Sequence, residues 1–137
     1  MPELHLVSPV APAAVPDFTA DEIRATQRAT VALFARWGLS DEQASRLLGD
    51  ISVRTYQRWK SGSFGRVGVD LAERMSNLMG IHKALRLLFR EAERGYGWIS
   101  RPNADFDDRS ALDVMLQGRI TDLMRVRRYL DARRGQW

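Results

Sequence analysis

The chain has 137 residues, 45% of them hydrophobic, enough for one compact domain or two small helical ones. It has no cysteine, which excludes disulfides, thiol nucleophiles and cysteine-based zinc sites, and no apolar stretch near the ~20 residues a membrane span needs. All but Lys60 and Lys83 of the 21 basic residues are arginine; against 17 acidic ones they give a net charge of +4 and a pI of about 10.1, a balance that fits either nucleic-acid binding or the coding bias of a GC-rich genome.

The N-terminus has no basic start and is interrupted by Pro2, Pro9, Pro12 and Pro16, unlike a secretory leader, which predicts a cytoplasmic protein. Residues 1–17, rich in Pro, Ala and Val, read as an extended arm. Thr19 and Glu22 then form a T-x-x-E capping box flanked by Phe18 and Ile23 at the staple positions. Ile23, Thr30, Leu33, Phe34 and Trp37 share one stripe of a first helix that Gly38 ends. Ser40 and Gln43 make a second box, opening a short helix over about Asp41–Leu48 that Gly49 stops. Ser52 caps a third helix, Val53–Lys60, broken by Ser61-Gly62-Ser63 and Gly65.

A fourth helix is predicted over Val69–Met79, ending at Gly80, and a fifth over Ile81–Arg94, ending at Gly95. Tyr96–Arg109 reads as a loop-rich connection. A short helix over about Ala111–Gln117, stopped by Gly118, and a last one over Ile120–Arg133, stopped by Gly135, complete an all-α fold with no strand pattern of period two.

Leu39–Gly62 carries most of the functional signal. Two short helices joined by a Gly-containing turn fit a helix-turn-helix, whose second helix enters the major groove of duplex DNA. On the wheel of that helix, Tyr56 and Trp59 face inward, where Leu47, Leu48 and Ile51 can receive them. Val53, Arg54, Gln57 and Arg58 face outward. Arginine can bind guanine O6 and N7, glutamine adenine N6 and N7, and a valine methyl the thymine methyl; Thr55 and Lys60 are placed for phosphates. An ordinary helical hairpin with a solvated polar face is the competing reading.

Ile81, Ala84, Leu85, Leu87, Leu88, Phe89 and Ala92 span about 200° of the fifth helix, against the ~100° of a one-sided surface helix. That helix is either the central core helix or also a homodimer interface through Leu85, Leu87, Leu88 and Phe89; a reader of two half-sites acts as a dimer.

Catalytic constellations are missing. Counting Asp105 as position 1 of a calcium loop puts Ser110 at the glycine position and Leu116 at the closing glutamate. His5 and His82 are solitary, Gly95-Tyr96-Gly97 lacks phosphate-loop spacing, and no Ser–His–acid set can be nominated. No metal, cofactor or enzymatic activity is expected.

Leu39-Ser40, Ala44, Leu47-Leu48-Gly49, Arg58-Trp59 and Gly62 together resemble the Xre-type antitoxin helix-turn-helix. Trp98-Ile99, Pro102-Asn103, Asp107–Leu112, Met115-Leu116, Gly118 and the closing helix with Gly135 resemble the MbcA/ParS/Xre toxin-binding domain. The resemblance runs from about residue 20 to residue 137. Ala111 departs from it, standing where the family has proline after the serine; proline there only pre-sets the backbone, so alanine fits.

After the arm over residues 1–17, which the resemblance does not cover, the expected division is a helix-turn-helix and dimerisation region over 18–95 and a toxin-binding domain over 96–137. The resemblance further implies an antitoxin that blocks a RES-domain toxin, which degrades NAD or transfers its ADP-ribose, and whose complex represses its own operon by binding duplex operator DNA. A stand-alone dimeric regulator is the alternative.

Arg127 falls within the apolar stripe Ile120, Leu123, Met124, Val126 and Leu130, so it either forms an internal ion pair or meets the toxin. The terminal run Arg133-Arg134-Gly135-Gln136-Trp137 lies past a helix stop. Trp137 either tucks into its own core or, with the arginines and Gln136, inserts into the toxin's NAD pocket.

Overall fold

Four helix starts are written in this chain as side-chain caps, at Thr19, Ser40, Ser52 and Ser110, and the computed structural model, which describes residues 19–135, forms them. Calls on the arm, on the Phe18 staple and on Gln136 and Trp137 lie outside the described residues. Helix α1 spans Ala20–Trp37. At its start the Glu22 N–H donates to Thr19 Oγ1 (3.1 Å) and the Thr19 N–H to Glu22 Oε1 (2.8 Å). Gly38, in the left-handed region at φ 71°, closes it. Helix α2 spans Asp41–Leu47 behind the reciprocal Ser40–Gln43 box, and α3 spans Val53–Lys60, with Ser52 accepting from the Thr55 N–H.

The expected break at Gly80 does not occur. Helix α4 is continuous over Val69–Leu88 and ends where Phe89 turns extended. Gly80 is there for close packing: a Cβ at this position would stand 2.5 Å from Cζ and Nε of Arg127, which crosses it from the last helix. Helix α5 is then Ala92–Trp98, and Gly95 sits inside it, buried against the Leu85 carbonyl and Phe89. Neither glycine is a stop.

The connection also holds more order than a loop. Strand β1 (Pro102–Asn103) pairs antiparallel with β2 (Arg109–Ser110), Pro102 opposite Ser110, around a 3-10 turn over Ala104–Phe106. Asp107 and Asp108, at φ 58° and 63°, make the return; aspartate tolerates this region better than most side chains. Two residues per strand are too few to show an alternating pattern. Helix α6 (Ala111–Met115) starts at a Ser110–Asp113 box, and α7 (Ile120–Arg134) closes the fold.

One apolar cluster runs from Leu33 to Leu130, and α4 is its spine. It packs chiefly along α7, and also against α1 and α5. Two arginines tie the helical pair α2–α3 to this frame. Arg74, 8% exposed, bonds Asp70 (2.9 Å) and donates to the Leu47 carbonyl at the end of α2 (3.4 Å). Arg46 of α2 reaches the end of α6, donating to the carbonyls of Leu116 (3.1 Å) and Gln117 (2.9 Å), while Asp50 holds its remaining side (2.8 Å). Gly118 makes room for it: φ is +94°, and a Cβ would lie 2.6 Å from the guanidinium carbon.

Candidate functional site

Two helices and four aromatic rings build the face that α3 presents. Tyr56 and Trp59 are 3% and 2% exposed, as the wheel requires. Tyr56 packs on Phe34 at 6.0 Å between ring centroids, Trp59 on Tyr56 at 6.4 Å, and Phe64 meets Trp59 edge-on at 6.4 Å. With one side locked into the core, the other is fixed in direction. Arg54, Gln57, Arg58 and Lys60 are exposed, and Val53 and Thr55 are half-buried.

The exposed residues differ in how they are held. The guanidinium groups of Arg54 and Arg58 make no hydrogen bond or ion pair among the described residues, so their charge is available to a partner. Gln57 Nε2 donates to Asp41 Oδ2 (3.1 Å) and Lys60 Nζ to Asp41 Oδ1 (2.7 Å). The hydrogen bond from Lys60, then that from Gln57, holds the Asp41 carboxyl below the usual carboxylate range. Thr55 Oγ1 accepts from the Ser52 hydroxyl (2.8 Å).

A second surface lies on α7 and the β1–β2 connection. Arg133 is bound to Asp105 (2.6 Å) and to the Tyr129 hydroxyl (2.6 Å), its guanidinium 4.7 Å from the Tyr129 ring centre. Trp98 also stacks on Tyr129, at 6.1 Å between ring centroids, with Phe106 against both rings. Arg127 is half-buried over Gly80, 3.8 Å from Asp131 and 3.5 Å from the Asn77 side chain, and Arg134 shares Asp131 at 3.4 Å. Arg127 thus has its carboxylate, at the partly open edge of the stripe. Gly135 is exposed at the end of α7.

Of the four residues named for a dimer, Leu85 is 3% exposed and belongs to the core, Leu88 and Phe89 are half-buried, and Leu87 is 61% exposed. Asp41, Arg46, Arg74, Asp105 and Tyr129 were not legible as site or frame residues, and Arg133 was expected at the toxin interface without its bonds to Asp105 and Tyr129. Their partners lie 16 to 71 residues away in most cases, beyond any helical period. An acidic residue opening α2 was the one available signal for Asp41. No group of three or more His, Asp or Glu side chains among the described residues could hold a metal ion, and no helix there is long and apolar enough to cross a membrane.

Residues 24–80 match the antitoxin Xre-like helix-turn-helix domain, and residues 84–135 match the antitoxin Xre/MbcA/ParS C-terminal toxin-binding domain. The chain is 50% identical over 100 residues to the uncharacterized protein y4oB of Sinorhizobium fredii (strain NBRC 101917 / NGR234), covering 73% of this chain and 77% of that protein. Its fold is similar to one in the crystal structure of the M. tuberculosis MbcT-MbcA toxin-antitoxin complex, with a TM-score of 0.52 and 24% identity over 77% of this chain and 90% of that one. A DNA-binding domain of the Xre type joined to a toxin-binding domain defines the group: the chain belongs to the Xre/MbcA/ParS antitoxin family of toxin–antitoxin systems.

Proposed function

We propose that the protein neutralises a RES-domain toxin that consumes NAD or transfers its ADP-ribose, and that as a homodimer it represses its own operon through α3. It acts by binding in the cytoplasm, where toxin and operator are, and not by catalysis. The observation that carries the DNA half is the division of α3: two aromatics locked inside, and outside two arginines one helical turn apart that have no ion-pair partner among the described residues. Arg54 and Arg58 read bases, Val53 meets a methyl group, Gln57 supplies a further base contact, and Thr55 and Lys60 meet the backbone. For the toxin half, α7 presents Arg127, Arg133 and Arg134, and the segment Gly135-Gln136-Trp137 continues from them into the NAD pocket. The solved relative, an antitoxin in complex with its toxin, supports the partner class.

Co-expression with the RES-domain protein of an adjacent reading frame tests both halves on one complex. On operator DNA, Arg54→Ala and Arg58→Ala each cost about 1–3 kcal/mol, with steep weakening by salt and an unchanged melting temperature. Deleting Gly135–Trp137 leaves most of the complex intact but makes inhibition weak or reversible by excess NAD. An Arg54/Arg58 double variant with wild-type operator affinity removes the DNA assignment; a truncated chain that inhibits fully at every NAD concentration moves the block to the helix body.

A further inference from the structure

Among the described residues, the side-chain amide of Gln57 is the predicted base-reading group held by a hydrogen bond, and the residue that holds it is on another helix. Asp41, the first residue of α2, faces α3 with its side chain 23% exposed. Its two oxygens are divided between Lys60 Nζ (2.7 Å) and Gln57 Nε2 (3.1 Å). An ionised carboxylate accepts hydrogen bonds and cannot donate them. The Gln57 amide must therefore turn its nitrogen toward Asp41, which directs Oε1 away from α2 on an exposed side chain. A glutamine without such a neighbour flips between its two ends at little cost.

We infer that Asp41 is a positioning residue for sequence readout: it holds Gln57 with its amide oxygen outward, so that α3 selects a base presenting an exocyclic amine at the Gln57 contact. In the major groove adenine N6 and cytosine N4 offer such a donor, whereas guanine and thymine present oxygens there. The outward oxygen gains a hydrogen bond from the first pair and meets an acceptor in the second. Asp41 also neutralises Lys60, which limits what that lysine adds to sequence-independent attraction for phosphates. Selectivity at one base pair and restraint of non-specific binding then come from the same carboxylate. This inference rests on the assignment of α3 as the DNA-reading helix.

The test is selection of bound duplexes from a randomised library by the full chain, comparing wild type, Gln57→Ala and Asp41→Ala. Gln57→Ala identifies the base pair that Gln57 reads, where wild type favours adenine or cytosine on the contacted strand. Asp41→Ala loses about fivefold discrimination at that same base pair, the amount one neutral hydrogen bond supplies. It keeps the preferences erased by Arg54→Ala and Arg58→Ala, binds unrelated duplex more tightly, and shows a salt dependence steeper by about one ion. Asp41→Asn, which keeps size and hydrogen-bonding capacity at the head of α2, gives the same loss, because an amide can face Gln57 with either end. A purely structural role for Asp41 would lower all preferences together. An Asp41→Ala or Asp41→Asn profile unchanged at the Gln57 position overturns the inference alone. A wild-type chain that selects no sequence overturns the DNA-reading assignment and this inference with it.

Discussion

Tyr56, 3% exposed as a residue, carries a titratable hydroxyl on the core-facing side of α3. Burial, helped by the negative charge of Asp41, pushes it up from 10.0 to about 12. A value raised by folding means that the stabilisation is complete below the unfolded value and is lost as pH rises through the folded one. Stability should therefore hold up to about pH 10 and then lose up to about 3 kcal/mol by about pH 12 on account of this residue. Urea titrations of wild type and Tyr56→Phe check it: the difference between the two should be flat below pH 10 and open above it. A Tyr56→Phe curve parallel to wild type throughout would show the hydroxyl to be solvated. The inward direction of Tyr56 was legible in the sequence because it follows from eight consecutive residues and the ~3.6-residue period. The bond from Gln57 to Asp41 was not, since it depends on where α2 lands against α3.

At the scale of elements, caps were the dependable signal, while glycines closed helices at Gly38, Gly49, Gly62, Gly118 and Gly135 but not at Gly80 and Gly95. Thr19, Ser40 and Ser52 each start a helix as expected, because a cap is satisfied by its own neighbours within three residues. Gly38 ends a helix, while Gly80 and Gly95 lie within helices. The same missing side chain serves as a left-handed stop in one place and as a seat for Arg127 in another, and only the tertiary partner distinguishes them. The aligned caps leave α3, at eight residues, too short to hold alone, so its stability is borrowed from packing. Trp59→Ala should cost about 3–5 kcal/mol by opening a cavity under it. Thermal unfolding reads this directly, and a variant that melts with wild type would mean that α3 is held by Tyr56 and the caps instead.

At the scale of the molecule, two exposed large apolar residues stand out among the described residues, Val69 at 45% and Leu87 at 61%. Leu87 projects from the last turn of α4, beside half-buried Leu88 and Phe89. If dimerisation uses this end of α4, Leu87→Glu yields monomers by light scattering without lowering the melting temperature; wild-type protein that is monomeric at high micromolar concentration, free and on DNA, assigns Leu87 to another contact. The seam between the two family segments is set by Arg46 and Gly118. Alanine at 118 would require a strained positive φ and evict the guanidinium, so Gly118→Ala should destabilise by about 1–3 kcal/mol in a denaturant titration. Arg46→Ala should cost less, because its side chain is 44% exposed. This link was invisible in sequence because it joins residues 70 and 71 positions apart. It also bears on heredity. Gene recombination between relatives at the boundary near residues 80–84 would cut inside α4, part Gly80 from Arg127, and part Arg46 from its seat at Gly118. The helix-turn-helix segment and the toxin-binding segment are therefore coupled as one folding block: a chimera joined there folds well only when both parents supply the matching glycine and arginine.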